Sequence, residues 1–302
     1  MTIDFHTHIG QLYGVYTIGQ GQPITWDEIL ARLDAEGIDQ AVMLPSGVSP
    51  EAVTFPSLVY CENMSIRDQF LGAARHRDRL IPFGNLDPRW LGNKPTADFR
   101  PLLEWFLEHG ARGIGEITAN IPADDPRTVN LFRQIGELQL PVLIHNVGFQ
   151  PGTYGLQDDP GMPRLESLLQ SAPDTIVVGH GQGFWAEIAA GVTPESKMGY
   201  PKEPIEAEGA LCRLLRAYPN LYADISANSG YNALTRTPEF GVRFLNHFQN
   251  KLLFGTDHTF GRRDLHMPHL AYLKRLLAEG QLSQTAYDKI TGLNALRILR
   301  PA

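Results

Sequence analysis

The sequence predicts an α/β fold, a closed (β/α)8 barrel, on three observations. Short apolar, β-branched runs alternate with longer amphipathic ones, eight of each can be counted, and the polar residues able to carry chemistry fall at the ends of the short runs. A chain of 302 residues accommodates one such barrel, which runs near ~250 residues as a single unit.

The elements follow in order. The run 2–6 (TIDFH) precedes an amphipathic stretch 26–36, and 40–44 (QAVML) precedes 65–75. Next, 80–85 (LIPFGN) leads to 102–109, 112–117 (RGIGEI) to 128–138, and 142–145 (VLIH) to 164–170. Then 175–179 (TIVVG) leads to 209–217, 221–225 (LYADI) to 238–248, and 252–256 (LLFGT) to 270–279. An extra C-terminal helix, 284–299, is expected to pack outside the barrel. Trp26 and Trp105 fit the apolar faces of outer helices. No composition shift or charge run divides the chain, so residues 1–302 read as one domain. Two connections are longer than a barrel needs. Residues 9–25 hold four glycines with Tyr13 and Tyr16, and residues 181–208 hold Phe184, Trp185, Lys197, Tyr200 and Lys202. Such loops are binding loops or lids, or simply surface packing, with Trp185 either packed in its loop or closing over a site.

Hydrophobic content of 43% and charged content of 20% suit a globular protein, and no segment approaches the ~20 apolar residues of a membrane span. The net charge is −7, with 26 basic residues scattered among 33 acidic ones, which argues against nucleic acid and leaves small molecules as partners. Cys61 and Cys212 have no close-spaced ligand partner and make no disulfide framework. With no basic and apolar leader at the N-terminus, the expectation is a cytoplasmic protein.

His6 and His8 lie one residue apart, a spacing that places two imidazoles on one face of a strand. Glu116, His145, His180 and Asp257 end four further strand runs, so four histidines and two carboxylates would meet at the face where barrel enzymes build their sites. The set suits zinc, manganese or iron, without the thiolates of a structural cysteine site. Each residue has a duller reading. A lone histidine after a strand is usually a core or loop residue, Glu116 could pair with Arg112, and Asp257 could cap a loop or helix. Those readings must hold independently at five strands, whereas one shared site explains them together.

The sequence resembles the amidohydrolase superfamily, and within it the amidohydrolase-2, or amidohydrolase-related, family. The resemblance runs from Asp4-Phe5-His6-Thr7-His8 through Leu143-Ile144-His145, Gly179-His180 and Gly255-Thr256-Asp257 to Gly292-Leu293-Asn294-Ala295. Asn85-Leu86-Asp87-Pro88-Arg89 and the segment 218–226 also look like recurring segments of that family. It implies a TIM barrel of the metal-dependent hydrolase type, with His6, His8, His145 and Asp257 matching the ligands of single-metal members and His180 a catalytic histidine. In two-metal members, His6, His8 and Asp257 hold one ion, His145 and His180 the other, and an acidic residue matched by Glu116 bridges them. The two-metal form is favoured, because Glu116 would be hard to leave unpaired there. Homo-oligomers are common in the family.

The implied reaction is hydrolysis of a small molecule at an amide, ester or lactone bond by metal-activated water, most simply on zinc. Asp257 is then the proton acceptor and His180, if not a ligand, stabilises the oxyanion. The alternative is non-oxidative decarboxylation of a small aromatic or unsaturated acid, with Arg89, Arg236, Arg262 or Arg263 as carboxylate partners. A catalytically silent ligand-binding barrel is the third reading. Asn146, Asn228 and Tyr231 are the candidate substrate contacts, and His258 is expected to be structural.

Overall fold

Among the described residues nine strands carry the architecture: β1 (Ile3–Thr7), β2 (Gln40–Met43), β3 (Leu80–Pro82), β4 (Ile114–Ile117), β5 (Val142–Val147), β6 (Leu156–Gln157), β7 (Val177–His180), β8 (Leu221–Asp224) and β9 (Leu252–Leu253). They belong to a computed structural model that describes residues 1–10, 24–46, 65–149, 154–258 and 267–299. Tyr13, Tyr16, Cys61, Arg262 and Arg263 lie outside the described residues.

The ladders between these strands are all parallel, in the orders β1-β2-β3 and β4-β5-β7-β8-β9, with the two-residue β6 beside β5. Hydrogen bonds join the two sheets at both seams. At one, Gly84 donates to Gly113 (2.9 Å) and Gly115 donates to Gly84 (2.8 Å). At the other, Phe5 donates to Phe254 (2.8 Å), Asp257 donates to His6 (2.9 Å), and Thr7 bridges to His258. Apart from β6, the strands therefore follow one another around a TIM barrel, as the alternation of runs predicts.

The helices fall where the amphipathic stretches place them, with small shifts at their starts. Thr25 and Glu28 form a capping box for Trp26–Glu36, and Pro126 and Pro163 open the helices Pro126–Glu137 and Pro163–Ser171 earlier than periodicity alone indicates. A large core fills the layer between strands and helices. A smaller one lies inside the barrel, built from residues such as Ile3, Phe5, Val42, Phe83, Leu143 and Val178.

The C-terminal segment departs from expectation in two ways. It is broken into Gln284–Asp288, a π-helical turn Lys289–Leu293, and Asn294–Ile298. Rather than packing outside, it sends Ala295, Ile298 and Leu299 into the inner core, while the Asn294 amide donates to the Leu252 carbonyl at 2.8 Å.

Two strands carry one residue more than their neighbours. Along β1 the pairing passes from Asp4↔Ala41 to Thr7↔Met43, and along β4 from Ile114↔Val142 to Ile117↔Ile144. Each extra residue is a bulge, which re-aims the side chains beyond it. Ile3 and Phe5 point into the barrel, and simple alternation would turn His6 and His8 away; the bulge brings both inward. In β4 the bulge includes Gly115 at φ 145°, where a Cβ would lie 2.7 Å from the Leu143 carbonyl oxygen, so only glycine fits.

Candidate metal centre

His6, His8, Glu116, His145, His180 and Asp257 meet at the carboxyl ends of the strands. Their ligand atoms form three overlapping trios, His6/His8/Glu116, His6/His180/Asp257 and Glu116/His145/His180, each within 4.8 Å of one another. The Nε2 atoms of His6 and His8 approach to 3.0 Å, and each lies 3.4 Å from Asp257 Oδ1. Glu116 faces both ways: Oε1 is 2.7 Å from His145 Nδ1, while Oε2 is 3.6 and 3.7 Å from His6 and His8 Nε2. His180 Nε2 is 3.8 Å from Asp257 Oδ2. Asp257 has a left-handed backbone, φ 57°, a conformation Asp tolerates better than most residues.

The far nitrogens of these rings are held by acceptors. His8 Nδ1 donates to the Leu44 carbonyl at 3.0 Å, and His6 Nδ1 donates to Asp224 Oδ2 at 2.7 Å. His180 Nδ1 lies 3.1 Å from the same Asp224 oxygen and 3.0 Å from Ser226 Oγ. A hydrogen on Nδ1 puts the ring's lone pair on Nε2, so three rings present the nitrogen a metal requires. His145 is turned the other way, with Nδ1 towards Glu116 and Nε2 3.1 Å from Gln182 Oε1. Buried imidazoles and carboxylates converging in this manner fit a divalent ion of the zinc, manganese or iron type.

Burial is the largest influence on His6, Glu116, Asp224 and Asp257, and neighbouring charge overrides it. Burial disfavours the charged form of His6, but Asp257, Asp224 and Glu116 together raise its pKa well above the usual imidazole value. Burial likewise opposes ionisation of Glu116, which His145 and His6 hold well below the usual carboxylate range. Asp257 and Asp224 are lowered in the same manner, Asp257 chiefly by His6 and Asp224 by His180 and His6.

The other candidates lie elsewhere. Leu143 belongs to the inner core and Val142 and Ile144 to the outer one, so alternation sends His145 inward and Asn146 outward, where both amide atoms of Asn146 are buried with no hydrogen-bond partner among the described residues. Asn228 is exposed on the helix Ala227–Thr235, and the Tyr231 ring packs on His269 and Tyr272. Arg89 is paired with Asp87 at 3.0 Å, and Arg236 donates to the Pro201 carbonyl at 3.1 Å. Burial, ahead of the nearby Arg32, pushes His258 down to about 4, consistent with a structural part. Cys212 is a buried free thiol that burial pushes up to about 12.

Sequence reasoning missed four residues at the site. Asp224 ends β8 within the segment 218–226, so its signal matched that of Asp257 and was available. Ser226 donates to Asp224 Oδ2 at 2.5 Å. Gln182 holds His145, and the Tyr154 ring packs on His145 with centroids 4.4 Å apart. Burial first, then Glu116 and Asp257, raise the Tyr154 hydroxyl above its usual range. Nothing in the loop sequence around Tyr154 marks it. Trp185 lies behind the site rather than over it, fully buried with its indole N–H on the Asp224 carbonyl.

Among solved structures, the chain is similar to an uncharacterised TIM-barrel protein of Bordetella bronchiseptica at 17% identity and a TM-score of 0.63, covering 98% of this chain and 97% of that one. It is also similar to a 2,6-dihydroxybenzoate decarboxylase from Rhizobium at 16% identity and a TM-score of 0.56, covering 98% of each chain. A probable 2-pyrone-4,6-dicarboxylic acid hydrolase from Acinetobacter baumannii matches at 14% identity and a TM-score of 0.53, again covering 98% of each. These likenesses concern the fold. No curated protein matches the sequence. The sequence profile described as Amidohydrolase matches residues 3–300, and the chain therefore belongs to the amidohydrolase-related family of the amidohydrolase superfamily.

Proposed function

We propose that this protein is a metal-dependent hydrolase that cleaves an amide, ester or lactone bond in a small molecule, with zinc as its metal and the cytoplasm as its compartment. The observation that carries the reading is Glu116, whose two oxygens face separate histidine groups, His145 on one side and His6 with His8 on the other. A carboxylate so placed suits a pair of ions, one held by His6, His8 and Asp257, the other by His145 and His180.

When bound, such ions supply Lewis acidity and a water of lowered pKa. The rest falls to the chain. Asp257 carries oxygens towards His6, His8 and His180 and is kept ionised, so it accepts the proton of the attacking water and returns it to the leaving group. If one ion binds instead, His180 is left to act as an imidazolium, with its Nδ1 hydrogen towards Asp224 and its Nε2 hydrogen donated to the developing oxyanion. Tyr154 covers the His145 side and restricts water there.

The test is elemental analysis of the purified protein, followed by a screen of lactones, esters and amides. Two ions per chain and hydrolysis of a screened compound support the reading. One ion per chain with carbon dioxide release from an aromatic acid overturns it in favour of decarboxylation; a chain without metal, unresponsive to zinc or manganese, overturns both.

A further inference from the structure

Asp224 contributes no atom to the trios of candidate ligands, yet it is fully buried against two of their members. Its Oδ2 accepts from His6 Nδ1 at 2.7 Å, lies 3.1 Å from His180 Nδ1, and accepts the Ser226 hydroxyl at 2.5 Å. Its Oδ1 accepts the Ser226 backbone N–H at 3.0 Å. An ionised carboxylate only accepts, so both rings must carry a hydrogen on Nδ1 to make these contacts. The two rings lie close together, with centroids 4.4 Å apart.

The backbone that carries the carboxylate is itself held from behind. Trp185 Nε1 donates to the Asp224 carbonyl at 2.9 Å. Ala227, at φ 59°, turns the chain back, and its carbonyl accepts from His269 Nε2 at 2.9 Å. Gly255 comes so close that a Cβ there would lie 2.5 Å from Asp224 Oδ1. This much support around one carboxylate indicates a fixed geometry.

We infer that Asp224 is a positioning residue that sets the tautomer and orientation of His6 and His180 together, so that one carboxylate couples the two halves of the metal centre. Partners of this kind typically change metal affinity by about 10–100-fold when removed from a single ligand. Here the loss falls on both halves at once. The inference rests on the two-ion reading above, and its test separates the two.

Nitrogen-15 NMR of the metal-free protein reads the rings directly. Hydrogens on Nδ1 of both His6 and His180 are expected in the wild type, with both signals lost or shifted in Asp224→Asn. Bare Nδ1 atoms in the wild type, or rings unchanged in the variant, overturn the inference whatever the metal does. Manganese titration of the same proteins gives the second readout: two ions bind the wild type, and Asp224→Asn weakens both by about 10–100-fold. Weakening of one ion alone overturns the coupling. If the wild type binds no metal, the functional reading fails while the NMR result still decides the role of Asp224. Ser226→Ala guards against misfolding of the first variant, since it keeps the carboxylate and removes one contact. It should weaken metal binding by less than Asp224→Asn, and an equal or larger effect would transfer the role to Ser226.

Discussion

Trp185 donates its indole N–H to the main-chain carbonyl of Asp224 at 2.9 Å, joining the loop after β7 to the end of β8 behind the candidate metal centre. Trp185→Phe keeps most of the buried ring and removes the donor. The expected loss of stability is about 1–2 kcal/mol, because the buried carbonyl loses its partner and the smaller ring leaves space. Urea denaturation checks it; an unchanged midpoint would remove this bond from the account.

Gly255→Ala should be more damaging than its single methyl group suggests. The new Cβ would lie 2.5 Å from Asp224 Oδ1, 3.0 Å from Ser226 Cβ and 3.1 Å from His6 Cβ. We expect destabilisation of about 1–3 kcal/mol from overpacking, together with weaker metal binding as His6 is displaced. Calorimetric titration and thermal unfolding measure the two effects separately.

Lys197 is fully buried and donates to Glu187 Oε1 at 2.9 Å and to the Gly183 carbonyl at 3.0 Å, which anchors the loop 181–208 as packed structure. Lys197→Met strands the Glu187 carboxylate, and removing one partner of a buried pair costs about 3–5 kcal/mol. Adding Glu187→Gln should recover part of that loss, which a double-mutant cycle detects.

Asp125 caps the helix Pro126–Glu137, accepting from the Arg127 backbone N–H at 2.9 Å and from its guanidinium at 2.8 and 2.6 Å. The Arg127 guanidinium holds its carboxyl below the usual range. A lowered folded-state pKa gives stability that is present above the unfolded value, about 3.9, and lost as pH falls through the folded one. Asp125→Ala should therefore cost about 1 kcal/mol at pH 7, a difference that shrinks in thermal melts taken below about pH 4.

Chelation should lower the melting temperature, and a divalent ion in excess should restore it. The buried carboxylates of Glu116 and Asp224, with Asp257 beside them, lose compensating charge when the ion leaves. An ion at 100 times its Kd adds about 2.7 kcal/mol of stability per site. A melting temperature indifferent to chelator and to added manganese would contradict the metal reading.

The barrel was legible because alternation and periodicity report burial on the two sides of each strand. The clustering of His6, His8, Glu116, His145, His180 and Asp257 was legible because all of them close apolar runs. Asn146 shows where that logic stopped. It follows His145 directly and is a candidate substrate contact, whereas the pleat turns it to the opposite face. The helix Ala227–Thr235 is hidden in the sequence because its Asn, Ser and Gly residues imitate turn chemistry. Tyr154 and Gln182 reach the site from connections, where side-chain direction follows no period.

The bulges in β1 and β4 make the chemistry depend on counting as well as on identity. Deleting a single residue before His6 within β1, or before Glu116 within β4, would heal the ladder and leave every ligand in the sequence. The same strands would form, and with Thr7 still opposite Met43 and Ile117 still opposite Ile144 the candidate ligands would keep facing the barrel. A relative of this chain could thus hold the same centre on regular strands only by being one residue shorter in each, whereas a strand straightened at full length would turn its candidate ligands towards the helices.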